Sequence, residues 1–161
     1  MQDRTYRILF VCLGNICCSP TAQGVFEAIA EREGFASRVF VDSAGTADWH
    51  CGKAPDSRSQ AHARKRGYEL SHLRARQVSV RDFDDFDWIL AMDKTNLRDL
   101  QAMCPMAQQH KLRLFLAFAD HPVMEVPDPY YGGGEGFETV LDLVERASVG
   151  LLQHLFGQTF A

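Results

Sequence analysis

The first apolar segment, Tyr6–Cys12 (YRILFVC), is nearly unbroken. Such a run suits a central strand covered on both faces, because a strand with one wet face alternates apolar and polar. Over Thr21–Gly34 the apolar positions return at helical spacing, with Ala22, Val25, Phe26, Ile29 and Ala30 on one face. Ser19 is a suitable N-cap, Pro20 fits the first helical position and Gly34 marks the stop. Val39–Val41 predicts a second strand running into the turn-rich Asp42-Ser43-Ala44-Gly45-Thr46. Ser57–Arg66 predicts a polar helix closed by Gly67, followed by a connection rich in Arg and Asp. Trp88–Met92 predicts a third strand, Thr95–Cys104 a helix stopped by Pro105, and Leu112–Phe115 a fourth strand. His121–Gly136 is irregular, with three prolines and four glycines. In the last helix, Phe137–Leu155, residues Phe137, Val140, Leu141, Val144, Leu151 and Leu155 share one side. Strands alternating with helices predict an α/β fold, a parallel sheet wound on both faces.

Length and charge narrow the reading. The chain has 161 residues, the usual size of one domain, and no repeat, low-complexity tract or linker divides residues 1–161. Seventeen Lys and Arg against 21 Asp and Glu leave a net charge of −4. That balance gives no overall electrostatic case for nucleic acid or an anionic membrane as partner. The longest apolar runs, Ile8–Leu13 and Leu114–Ala119, are six residues each, too short for a membrane span or the core of a signal peptide. Five Cys is an odd number, and three of them, Cys12, Cys17 and Cys18, lie close together. The expectation is a cytoplasmic protein with reduced thiols that pack or react, not a secreted disulfide framework.

The candidate chemistry sits in the first strand-to-helix loop, Leu13, Gly14, Asn15, Ile16, Cys17 and Cys18, followed by Ser19. In open parallel sheets, ligands bind beyond the carboxyl ends of the strands. Gly14 and Asn15 tolerate positive φ, so successive backbone N–H groups can turn inward as an anion-binding nest, helped by the positive end of the following helix. A phosphate-sized anion would sit there against Cys12, and the same field favours a nucleophilic thiolate. Cys12 could instead end a buried strand as a small hydrophobe. No metal is expected, because positions 12, 17 and 18 lack zinc-ligand spacing and no His is near.

The run Val11–Cys17 with Ser19-Pro20-Thr21-Ala22 resembles the signature of low-molecular-weight protein tyrosine phosphatases. Four further matches follow in order: Asp42–Thr46, Trp49-His50, Ala91-Met92-Asp93 with Asn96-Leu97, and Pro127-Asp128-Pro129-Tyr130-Tyr131. The resemblance covers essentially the whole chain. It implies a four-stranded parallel sheet with helices on both faces, flavodoxin-like, and cofactor-free hydrolysis of phosphotyrosine on protein or of small aryl phosphates. Inorganic phosphate would be product and inhibitor. It implies that Cys12 attacks phosphorus and that Asp128 protonates the leaving phenolate and then activates water. It further implies that Ser19 caps the helix and hydrogen-bonds the Cys12 sulfur, and that left-handed Asn15 is held by Ser43. Leu13, Ile16, Trp49, Tyr130 and Tyr131 match walls that grip an aromatic ring, and Cys12–Cys17 matches a pair that oxidises to a disulfide.

One departure matters most. The family's loop is Cys, five residues, then Arg, and here that sixth position is Cys18. A guanidinium offers phosphoryl oxygens a planar fork of donors and a positive charge, whereas a thiol offers one weak donor. The expectation is a phosphatase whose activity is strongly reduced at this position. Two other readings stand beside it. An arsenate reductase-like thiol enzyme would need a later resolving pair of Cys, and only the distant Cys51 and Cys104 remain. A non-catalytic binder of phosphate or phosphotyrosine would explain the lost Arg but not the retained Asp128.

Overall fold

The computed structural model describes residues 4–129 and 133–157. Four strands, β1 Tyr6–Cys12, β2 Val39–Gly45, β3 Trp88–Ala91 and β4 Leu112–Leu114, form one parallel sheet in the order β2-β1-β3-β4. The chain winds one way from β1 to β2 and the other way from β3 to β4, so the switch point lies between β1 and β3. Cys12 pairs with Gly45 and Val11 with Ala91, which puts the end of β1 at that switch.

The unbroken apolar run of β1 follows from its two covered faces. Ile8, Phe10 and Cys12 pack into a core formed with Ala22, Phe26 and Val144 from the helices α1 Cys18–Arg32 and α5 Gly134–Phe156. Leu9 and Val11 face the other way, towards Phe83 of α3 Val80–Asp85 and Leu100 of α4 Lys94–Met103. The fifth helix, α2 Ser57–Lys65, begins at Asp56, whose carboxylate accepts from Arg58 N at 2.8 Å and Ser59 N at 3.4 Å. Among the described residues no helix is long and apolar enough to cross a membrane.

Two expectations are corrected. Helix α1 starts at Cys18, one residue before the expected cap, and its N-cap is Cys17 without a side-chain cap bond. Ser19 therefore lies inside the first turn, because its hydroxyl is taken up by Cys12 and Asn15. The connection after Gly67 holds α3, which sequence periodicity missed: six residues are too few to show an apolar face. Its start is fixed by polar bonds instead, Ser79 N donating to Asp82 Oδ2 at 2.8 Å and Arg76 pairing with Asp82 and Asp42.

Gly150 on α5 decides how closely that helix meets the 3-10 turn at Phe115–Phe118. A Cβ there would stand 1.7 Å from the Phe118 carbonyl oxygen. Alanine gains about 1 kcal/mol of helix propensity over glycine, but overpacking against backbone costs about 1–3 kcal/mol or more. Gly150→Ala is expected to lower the urea midpoint; an unchanged or raised midpoint would contradict this packing.

Candidate active site

Backbone bonds clamp both sides of the loop after β1. Thr46 N donates to Cys12 O at 2.9 Å, Ala47 N to Leu13 O at 3.0 Å and Asp56 N to Ile16 O at 2.8 Å. Position 45 has no room for a side chain, since a Cβ on Gly45 would lie 2.6 Å from Leu13 O and 3.2 Å from Asn15 N.

Asn15 sits at φ 58° in the left-handed region, 2 % exposed. Its Nδ2 donates to Ser19 Oγ at 2.8 Å and Ser43 Oγ at 3.0 Å, and its Oδ1 accepts from Arg76 N at 3.0 Å. Ser43 Oγ in turn donates to Gln23 Oε1 at 2.7 Å. Asn15 is thus held from three elements, which offsets the cost of left-handed backbone in a non-glycine residue. Sequence reasoning found Asn15, Ser19 and Ser43 but missed Gln23 and Arg76. Nothing in their local pattern marks them, because each acts across elements.

The Cys12 sulfur lies 2.9 Å from Ser19 Oγ and accepts from Asn15 N at 3.2 Å. Burial pushes the Cys12 thiol up, and the bonds from Ser19, Asn15 and Gly14 only partly oppose it. The loop's dipoles pull towards the thiolate, but without a full positive charge they oppose burial only in part. Alkylation of Cys12 by iodoacetamide should accelerate as pH rises through the alkaline range. In Cys18→Arg protein the onset should move to lower pH, since a neighbouring cation favours the thiolate. Identical pH profiles in the two proteins would contradict this account.

Cys12 forms the floor of a cavity of about 300 Å³ that Leu13, Gly14, Ile16, Cys17 and Cys18 also line. Trp49, 67 % exposed, stands at its edge, and His50 covers Gly14. Across from the loop are Met92, Asp93 and Asn96 from the end of β3 and the start of α4, with Val126 and Asp128. Val126 N donates to Met92 O at 2.8 Å and so ties the segment carrying Asp128 to β3. The fold thus brings Cys12 and Asp128 together from opposite ends of the chain. Sequence reasoning had quoted His50, Met92, Asp93 and Asn96 as matching fragments without assigning them to the site. Tyr130 and Tyr131, expected as walls, lie outside the described residues.

The two remaining loop thiols are buried. Burial pushes Cys17 up to about 12. Cys18, 7 % exposed, donates from Sγ to Pro127 O at 3.6 Å. Among the described residues no Lys or Arg lines the cavity.

Residues 7–159 match the family profile described as low molecular weight phosphotyrosine protein phosphatase. The chain belongs to this family. It is 45 % identical over 151 residues to a putative low molecular weight protein-tyrosine-phosphatase of Synechocystis, covering 92 % of this chain and 96 % of that one. Identity to a low molecular weight protein-tyrosine-phosphatase of Streptomyces coelicolor is 45 % over 153 residues, 92 % of each chain. A protein tyrosine phosphatase of Entamoeba histolytica, solved with Hepes in its active site, superposes with a TM-score of 0.91 at 39 % identity, over 94 % of this chain and 97 % of that one. YfkJ of Bacillus subtilis superposes at 0.89 with 37 % identity, over 96 % and 97 %. The α/β architecture read from the hydrophobic pattern is that of these phosphatases. Within this phosphatase fold, the two distant cysteines are poorly placed as a resolving pair. Cys51 is exposed, and Cys104 is buried in the core on the other face of the sheet.

Proposed function

We propose that this chain, acting as one domain over residues 1–161, is a cytoplasmic phosphotyrosine or aryl phosphate phosphatase whose turnover is held down by Cys18. The observation that carries the reading is the meeting in one cavity of a hydrogen-bonded Cys12 sulfur and the Asp128 carboxyl. The Cys12 thiolate attacks phosphorus, the P–O bond to the aryl group breaks, and Asp128 passes its proton to the departing phenolate. The Asp128 carboxylate then takes a proton from water, the water oxygen attacks phosphorus, and the S–P bond breaks to return the thiolate. Ser19 donates to the sulfur as it carries charge, both before attack and on departure. Loop N–H groups hold the phosphoryl oxygens, while Leu13, Ile16 and Trp49 bracket the ring. Inorganic phosphate leaves as product and competes for the loop. No cofactor or metal enters these steps.

Position 18 sets the rate. Removing one preorganised donor from a charge-developing centre costs about 10²–10³ in rate, and removing an arginine at a phosphoryl centre about 10³–10⁵. Acid quench of the protein with p-nitrophenyl phosphate, followed by peptide mass spectrometry, should place the phosphoryl group on Cys12. A phosphoryl group on another residue, or turnover that survives Cys12→Ser, would overturn the assignment.

A further inference from the structure

Among the described residues that line the cavity, only His50 can carry a positive charge. Its side chain is half-buried, and within the described residues neither ring nitrogen has a hydrogen-bond partner. Backbone bonds fix where that ring stands. Ala47 N donates to Leu13 O at 3.0 Å, Lys53 N to His50 O at 2.9 Å and Gly52 N to Ala75 O at 2.8 Å. The turn that carries His50 is thus bonded to the anion loop on one side and to the segment between α2 and α3 on the other. Its ring lies over Gly14, where a Cβ would stand 3.0 Å from Cδ2 and 3.6 Å from Nε2. Those two atoms share one edge of the imidazole, so the edge bearing Nε2 is the one turned to the loop. Glycine at position 14 leaves the room for that approach. The next peptide, Asn15 N, is the one that donates to the Cys12 sulfur at 3.2 Å.

We propose that His50 binds the phosphoryl group in this cavity, its Nε2–H donating to a non-bridging oxygen. An unpartnered donor on the loop side meets the oxygens that the loop N–H groups also hold. Asp128 lies across the cavity from the loop and meets the leaving oxygen instead. The two side chains therefore divide the substrate, one holding the oxygens that stay on phosphorus and the other protonating the one that departs. As the Nε2–H tautomer the ring gives a neutral hydrogen bond, and as imidazolium it also brings a positive charge. That His50 acts in turnover rests on the phosphatase reading given above; that it contacts the bound anion does not.

The test titrates ¹⁵N-labelled protein with inorganic phosphate at fixed pH, with chloride at equal ionic strength as the control. The chain has six histidines, so the other five report any drift in pH within the same spectra. Expected is a saturable shift of one imidazole, assigned to His50 by its loss in His50→Gln. It should track the backbone signals of Gly14 and Asn15, with half-saturation on the order of 1–10 mM for so small a ligand. Saturable shifts of Gly14 and Asn15 without one at His50 would overturn the contact, as would equal shifts of all six rings. Kinetics then read the role in turnover. His50→Phe keeps an aromatic ring against Gly14 but removes both nitrogens, and should lower kcat/KM on p-nitrophenyl phosphate about 10–100-fold. The inhibition constant of inorganic phosphate should rise with it, and His50→Gln, which returns an N–H, should recover part of both. Across a series of substituted phenyl phosphates the loss should be constant, because the non-bridging oxygens do not depart. A loss that grows with leaving-group pKa would place His50 on the leaving oxygen and overturn the inference, and so would unchanged kinetics in His50→Phe. A saturable His50 shift in a protein that does not turn over aryl phosphate would leave the anion contact standing and sink the phosphatase reading.

Discussion

Cys18→Arg is expected to raise kcat/KM on an aryl phosphate by on the order of 10³ or more, which corresponds to about 4 kcal/mol of transition-state stabilisation. The scaffold for the new side chain is already in place. Asn15 is locked left-handed by Ser19, Ser43 and Arg76, the sulfur of Cys12 is bonded, and Asp128 faces the same cavity. A guanidinium at position 18 would grip two phosphoryl oxygens throughout and gain most as charge redistributes in the transition state. The increase should therefore appear in kcat as well as in KM. Adding Cys12→Ser to the same protein should remove the gain, because no thiolate remains. Steady-state kinetics on p-nitrophenyl phosphate for the three proteins decides the matter. A folded Cys18→Arg protein that stays within tenfold of its parent would locate the defect elsewhere and favour the phosphate-binder reading.

Asp128→Asn, made in the Cys18→Arg background where rates are measurable, should cost about 10²–10⁴ on substrates with poor leaving groups. The loss should shrink steeply as the leaving phenol becomes more acidic, since a good leaving group departs without a proton. Asp128 sits between Pro127 and Pro129, and Val126 N is bonded to Met92 O, so the carboxyl is carried on a pinned segment. A series of substituted phenyl phosphates, read as log kcat/KM against leaving-group pKa, gives the answer. Parallel lines for the two proteins would remove Asp128 from the role of acid.

The hydrophobic pattern by itself determined the order of strands and long helices in this protein. That is so because β1, α1 and α5 bury wide, continuous faces, and burial leaves its period in the sequence. The same stretch of sequence carried the anion loop, the left-handed Asn15 and the anomalous Cys18, since all lie within seven consecutive positions. The resemblance implied the Ser19–Cys12 and Asn15–Ser43 bonds, but the tertiary structure decided how the rest of the loop is held. Ser19 looks like a helix cap in isolation, yet its hydroxyl turns to Cys12 and Asn15, because the buried sulfur and amide both need partners. Gln23 and Arg76 support the loop through bonds that span 20 and 61 positions, a distance at which no periodicity reports. The state of Cys12 was likewise beyond a local reading. Its loop favours a thiolate, but burial pushes the thiol up, with no Lys or Arg lining the cavity among the described residues, and burial and charge are sums over the whole fold.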